Sequence, residues 1–252
     1  MTTSRNSTIS SLAAFHCELV DVADQYHFAH CRSLLSARQY RPAYELVRKH
    51  VSPAKKVLDW GAGNGHFSYF LMRFGYEAFG FDFDGVPQVC RGLWPESYKY
   101  RQGVDPVSLP FEDDEFDAVT SIGVLEHVLE TGGSEPASLR EIRRILKPNG
   151  VFICVHFPNR FSFIEALARG TGRSSHRVRY TKSDILQLTM DAGLRVIGTG
   201  RYGALPRNLW SKEPLHRFGN LGPIAVSYEL IDKLLTTIAR PVCQNHWFVA
   251  KA

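Results

Sequence analysis

From Lys56 onward the chain alternates short, largely apolar runs with longer stretches in which apolar residues recur every three or four positions. Runs such as Val57-Leu58-Asp59-Trp60 and Val151-Phe152-Ile153-Cys154-Val155 have the length and side chains of strands buried on both faces. The pattern predicts strands over residues 56–60, 76–82, near 98–101, 117–121, 151–156, 194–198 and 245–251. It predicts helices over about 66–74, 138–145, 182–192 and 224–239, the first closed by Gly75 and the second stopped at Lys147-Pro148-Asn149-Gly150. Strand and helix in alternation imply a parallel sheet and an α/β fold. Residues 12–50 read as mostly helical, with Pro42 breaking the stretch and opening a second helix near it. They form an expected N-terminal helical cap over residues 1–50, disordered at 1–11, ahead of a main domain over 51–252.

The stretch Asp59-Trp60-Gly61-Ala62-Gly63-Asn64-Gly65 turns this architecture toward chemistry. It sets D-x-G-x-G-x-G at the carboxyl end of the first strand, where open α/β sheets bind ligands. Glycines there allow positive φ and remove β-carbons that would hold a ligand off the backbone. A dinucleotide fingerprint, G-x-G-x-x-G, aims its amides at a pyrophosphate. The extra acid here would repel a pyrophosphate and suits a ligand with an ammonium group, such as the methionine part of S-adenosylmethionine. Without a ligand the same glycines make only a tight strand-to-helix turn. The second strand ends in Asp82, about 20 residues past the first glycine, the separation at which a carboxylate meets ribose hydroxyls.

Three more segments follow in order: Gly103-Val104-Asp105 with Leu109-Pro110-Phe111, Phe116 to Val128 containing Leu125-Glu126-His127, and Leu146-Lys147-Pro148-Asn149-Gly150. With them, residues 54–252 resemble the class I S-adenosylmethionine-dependent methyltransferases and are similar to the ubiquinone-biosynthesis-type small-molecule enzymes. The resemblance implies a Rossmann-like, seven-stranded, mostly parallel sheet with helices on both faces and an antiparallel last strand beside the fifth. It also implies S-adenosyl-L-methionine as cofactor, held by Asp59, Gly61, Ala62, Gly63, Asp82, Phe83, Asp105, Pro106, Ser121 and Ile122. Asp105 would contact the adenine amino group, unless it is only a turn residue.

Residues 157–180 and 202–222 fall outside that common core and follow the carboxyl ends of strands, so they are expected to shape the acceptor pocket. The first carries five arginines and His176 with Glu165 as its only acid. Arg173, His176, Arg177 and Tyr180 are therefore expected to contact an anionic part of the acceptor, the alternative being arginines that solvate a loop. An apolar helix over 161–168 would face a lipid-linked acceptor or a membrane surface, or else pack into the core. For a proton to be removed from the acceptor, His127 of the L-E-H motif is the first candidate base and His156, ending the fifth strand, the second. The alternative for His127 is a histidine that caps or packs the next helix. No metal is expected.

Composition narrows the reading. The chain has 252 residues, 44% of them hydrophobic, enough for one large α/β core. Its five cysteines are scattered and never in C-x-x-C, which indicates neither a disulfide framework nor zinc and fits a cytoplasmic location. No apolar stretch reaches the roughly 20 residues that span a bilayer. Thirty Lys and Arg against 25 Asp and Glu keep nucleic-acid methylation as an alternative. Against it, Ser121-Ile122-Gly123-Val124 stands where amino-directed base methyltransferases carry an Asn/Asp-Pro-Pro-aromatic motif, and no Pro-Cys pair occurs. The expectation is a cytoplasmic methyltransferase acting on an oxygen of a small-molecule, saccharide or lipid-linked acceptor. A non-catalytic, cofactor-binding regulator is the alternative from another class.

Overall fold

The computed structural model describes residues 9, 11–93, 98–170, 172 and 176–252. In chain order the elements are α1 (Leu12–Val22), α2 (Leu34–Ala37), α3 (Arg41–His50), β1 (Lys56–Trp60), α4 (His66–Arg73), β2 (Glu77–Asp82), α5 (Gln88–Leu93), β3 (Lys99–Gln102) and β4 (Phe116–Ile122). After them come α6 (Glu135–Ile145), β5 (Leu146–Pro158), α7 (Phe163–Gly170), α8 (Lys182–Asp191), β6 (Arg195–Tyr202), α9 (Leu215–Gly219), α10 (Gly222–Ile238) and β7 (Asn245–Lys251). The strands form one sheet in the order β3-β2-β1-β4-β5-β7-β6. Pairing is parallel from β3 through β5, and β7 lies antiparallel between β5 and β6. The order reverses between β1 and β4, which opens a crevice at their carboxyl ends.

Period-two alternation sends successive strand residues to two separate cores. Val57, Ala78, Ala118, Ile153 and Val249 face one, while Leu58, Phe79, Val119, Phe152 and Phe248 face the other. On the first side α1, α3 and α4 supply Phe15, Tyr44, Phe67 and Phe70. On the second, α6 and α8 supply Leu139, Ile142 and Ile185. Helices thus cover both faces.

Several boundaries differ from the sequence expectation for local reasons. β5 begins at Leu146, already paired with Phe116, and a register shift intervenes before Val151 joins Ala118. α6 starts three residues early because Ser134 accepts from the Ala137 amide and a proline occupies the first turn. The expected helix over 12–50 is interrupted: His27 has φ 58°, and Ser33 caps the short α2. Pro42 opens α3 as expected. The disorder expected at 1–11 falls mostly on residues outside those described.

The N-terminal helices are built into the main core. Phe15 is fully buried, its ring centroid 5.4 Å from that of Tyr44 and 5.5 Å from that of Phe74. Phe15→Ala is expected to cost about 3–5 kcal/mol in urea unfolding, with one transition for the whole chain. A separate early transition would show that the helical cap folds apart from the sheet.

Candidate active site

The turn after β1 is tied to the end of β2. The amides of Gly61 and Ala62 donate to the Phe81 carbonyl at 2.8 and 3.0 Å. The Gly63 amide donates to Asp82 Oδ2 at 2.7 Å, and the Phe83 amide to Oδ1 at 2.7 Å. Gly63 has φ 50°, and a β-carbon there would meet nothing within 4 Å, so the loop faces open space that a ligand can approach. A β-carbon on Gly61 would instead lie 2.3 Å from Val124 Cγ2. In front of the turn is a cavity of about 250 Å³ lined by Gly61, Asp82, Phe83, Pro106, Val124 and His127, among others. Each Asp82 oxygen keeps a lone pair for a hydroxyl. A glycine turn open to approach, an acid and apolar walls fit an adenosine-bearing cofactor.

Not all expected cofactor residues reach this cavity. Asp59 lies behind the turn, buried, accepting from Ser68 Oγ at 2.6 Å; Ser68 in turn is 2.8 Å from the Tyr98 hydroxyl. Burial pushes the Asp59 carboxyl up to about 7. Ser121 is buried and accepts from the Leu125 amide at 3.2 Å. Asp105 is exposed and accepts from its own loop, from the amides of Val107 and Ser108 at 2.8 and 2.7 Å, which hold its pKa down. Its neighbour Pro106 lines the cavity.

A second cavity, about 1310 Å³, meets the first at Gly123 and His127. Tyr40 of the N-terminal region, Ile122, His156, Tyr202 and Trp247 are among its walls. Farther along, the same cavity is lined by charges that neutralise one another. Arg38 pairs with Glu229 at 3.0 Å, Arg41 with both Glu229 and Glu45, and Arg207 with Asp232 at 2.6 Å. Sequence reasoning missed this lining because it joins residues about 190 positions apart, and only the arginine-rich run at 160–179 stood out.

Two histidines on this cavity have opposite partners. His127 Nδ1 lies 3.1 Å from Glu130 Oε1. A carboxylate only accepts, so the neutral imidazole carries its proton on Nδ1 and keeps a lone pair on Nε2. His156, strained at φ 68°, donates its amide to the Tyr202 hydroxyl at 2.9 Å, and its Nδ1 lies 2.9 Å from the same oxygen. The phenol has one proton to give, and placing it on Nδ1 satisfies all three groups. Neutral His156 then carries its own proton on Nε2, an atom with no hydrogen-bond partner among the described residues. Burial lowers its pKa to about 4, so it is neutral at pH 7.

Glu126 also lines the larger cavity; burial raises its pKa to about 8, and Oε2 has no partner among the described residues. His176 joins it there, with Nδ1 3.1 Å from Glu165. Burial opposes the charge on His176, but Glu165, Glu126 and Glu130 outweigh it and raise its pKa. Glu126, His127 and His176 bring donor atoms within 4.8 Å of one another, close enough to share a cation. Of the other expected acceptor contacts, Tyr180 is buried with its ring stacked on Phe157 and its hydroxyl on Glu135, and neither it nor the exposed Arg177 lines either of these two cavities. Arg173 lies outside the described residues.

Residues 58–154 match a family described as a methyltransferase domain. The chain is 30% identical over 182 residues to a ubiquinone biosynthesis O-methyltransferase of Stutzerimonas stutzeri, covering 63% of this chain and 75% of that one. It belongs to the class I S-adenosylmethionine-dependent methyltransferases. A demethylmenaquinone methyltransferase of Streptomyces avermitilis is 36% identical over 138 residues, 53% of this chain and 56% of that one. The methyltransferase fold is shared with the Burkholderia thailandensis 1,6-didemethyltoxoflavin-N1-methyltransferase, solved with its substrate and S-adenosylhomocysteine, at TM-score 0.57 and 16% identity over 95% of this chain and 87% of that one. The matched region spans little more than half the length of some of these relatives.

The raised pKa of Asp59 sets a direction for stability. An acid with a folded pKa near 7 and an unfolded one near 3.8 holds its proton more tightly when folded, so its contribution favours folding at low pH and is lost as pH rises from about 4 through 7. Asp59→Asn keeps the acceptor for Ser68 and removes the titration. Its stability relative to wild type is expected to improve from pH 5 to pH 8, checked by denaturant unfolding at the two pH values.

Proposed function

We propose that this chain transfers the methyl group of S-adenosylmethionine to an oxygen of a small-molecule acceptor. The observation that carries the reading is the meeting of a glycine-walled cavity and a larger one at His127, whose Nδ1 is held by Glu130. Adenosine would lie against Phe83 and Pro106, its ribose hydroxyls on the free lone pairs of Asp82, with Asp105 near the adenine edge. Asp59, beneath the turn, would add negative potential below the methionine ammonium, and Ser121 and Ile122 would form the floor beside the sulfonium. The sulfonium supplies an activated methyl carbon for in-line displacement.

What remains for the chain is to align the acceptor and take its proton. His127 Nε2 carries the free lone pair for that task. His156 takes a different part from that of a base: with its proton on Nε2 it offers a donor to a second oxygen of the acceptor, a carbonyl or an ether. The walls of Tyr40, Ile122 and Trp247 suit a ring or other flat apolar body between them. The arginines of the cavity are already paired, which leaves an anionic acceptor without a free cation among them. The five cysteines are all reduced, in keeping with a cytoplasmic location.

Cofactor binding is tested by calorimetry with S-adenosylmethionine. Asp82→Ala should weaken it by roughly 10- to 150-fold, the equivalent of about 1.5–3 kcal/mol, and Gly63→Val by at least as much. Unchanged affinity in both variants would remove the site assignment. With an acceptor in hand, His127→Ala should reduce kcat by about 100-fold or more while leaving cofactor affinity nearly intact. Full activity in that variant would show that alignment alone suffices.

A further inference from the structure

The last long helix is turned inside out. Along α10 the inward positions hold Ala225, Glu229 and Asp232, buried, while the outward ones hold Val226, Leu230, Leu234 and Ile238. These four recur every fourth residue and so lie on one face, with Ile231 beside them. Leu230 and Leu234 are each 62% exposed and Ile238 71%. The inversion has a specific cause: Glu229 accepts Arg38 and Arg41, and Asp232 accepts Arg207 and the Leu205 amide, so the acids hold the helix down by ion pairs. An amphipathic helix on a globular protein ordinarily buries the opposite face.

The apolar face has apolar neighbours. Phe218 of α9 and Leu221 just before α10 are 54% and 51% exposed, and Phe163 of α7 is 45% exposed. Phe163, Leu209, Lys233 and Thr237 also line the larger cavity, so that cavity reaches the segments carrying the patch. The exposed charges around it are mainly of one sign. Across residues 205–240 the exposed cations are Lys212, Arg217, Arg240 and Lys233, the last reaching Glu229 at 3.5 Å, and Glu213 is the exposed acid, because Glu229 and Asp232 are buried against other arginines. Two copies docked face to face would bring those cations together, whereas an anionic surface would meet them. No described helix is long and apolar enough to cross a membrane, so a contact of this kind lies in the interface plane.

We infer that the outward face of α10, with Phe218 and Leu221, docks on an anionic lipid surface, apolar side chains among the acyl chains and the flanking cations at the headgroups. The inference does not rest on the proposed reaction, and its test needs no acceptor. The full chain is sedimented with vesicles of phosphatidylcholine alone and of phosphatidylcholine with one quarter phosphatidylglycerol, at low and at 0.5 M salt. Wild type should partition onto the anionic vesicles at least tenfold better than onto the neutral ones, and salt should weaken that binding. Leu230→Glu with Leu234→Glu should abolish binding, and the milder Leu230→Ser with Leu234→Ser should weaken it, while both retain the melting transition and S-adenosylmethionine affinity of wild type. Overturning results are wild-type protein that stays in the supernatant, or leucine variants that bind like wild type. A dimer in light scattering that dissociates in the leucine variants, without vesicle binding, would also overturn it and assign the face to a second copy.

Discussion

Three backbone amides of the turn after β1, and that of Phe83 beside them, find their acceptors at one place, the carboxyl end of β2. Gly61 and Ala62 donate to the Phe81 carbonyl, and Asp82 takes Gly63 with one oxygen and Phe83 with the other. This contact fixes the glycine turn against the neighbouring strand with its open side outward. It also pre-orients the Asp82 carboxylate, whose remaining lone pairs point where the turn does not. Gly61 and Asp82 thereby line the crevice at the strand-order reversal together with Gly123 and His127.

The contact couples two layers of the design. The clamp rests on one main-chain carbonyl and one carboxylate, so it tolerates variation in the side chains around it but not the loss of Asp82. Asp59, by contrast, is sequestered beneath the turn with Ser68 and Tyr98, where burial holds its pKa high. An acid stored in that way is an energetic liability to the folded chain alone, and in the proposed complex the methionine ammonium above it would relieve it. Stability and ligand charge would then be linked through one buried carboxylate.

Most of the sheet was legible in the sequence because strands buried on both faces leave continuous apolar runs. β1 and β7 coincide with the expected residues, β2 begins one residue late, and β4 is longer by one residue at each end. The glycine turn and Asp82 were legible because a backbone requirement writes itself into residue type. The larger cavity was not. Tyr40, Tyr202 and Trp247 come from three distant parts of the chain and carry no shared local signature. The arginine-rich run drew attention by density alone, yet the arginines lining the cavity are Arg38, Arg41 and Arg207, outside that run, and the first two share an acid, Glu229, about 190 positions away. Tyr180, expected to contact the acceptor, is buried and stacked on Phe157, a tertiary contact with no local signature.

The opposite tautomers of His127 and His156 bear on what happens after the methyl has moved. In the proposed arrangement the acceptor gives one hydrogen bond to His127 and takes one from His156. Transfer would move that hydrogen to Nε2 of the same imidazole, held at Nδ1 by Glu130. The bond from His156 would survive, and the other would reverse, with the imidazolium donating to the methylated oxygen. What enters and what leaves would then differ by which partner owns a single proton, and once His127 gave that proton to solvent two lone pairs would face each other and favour release of the product.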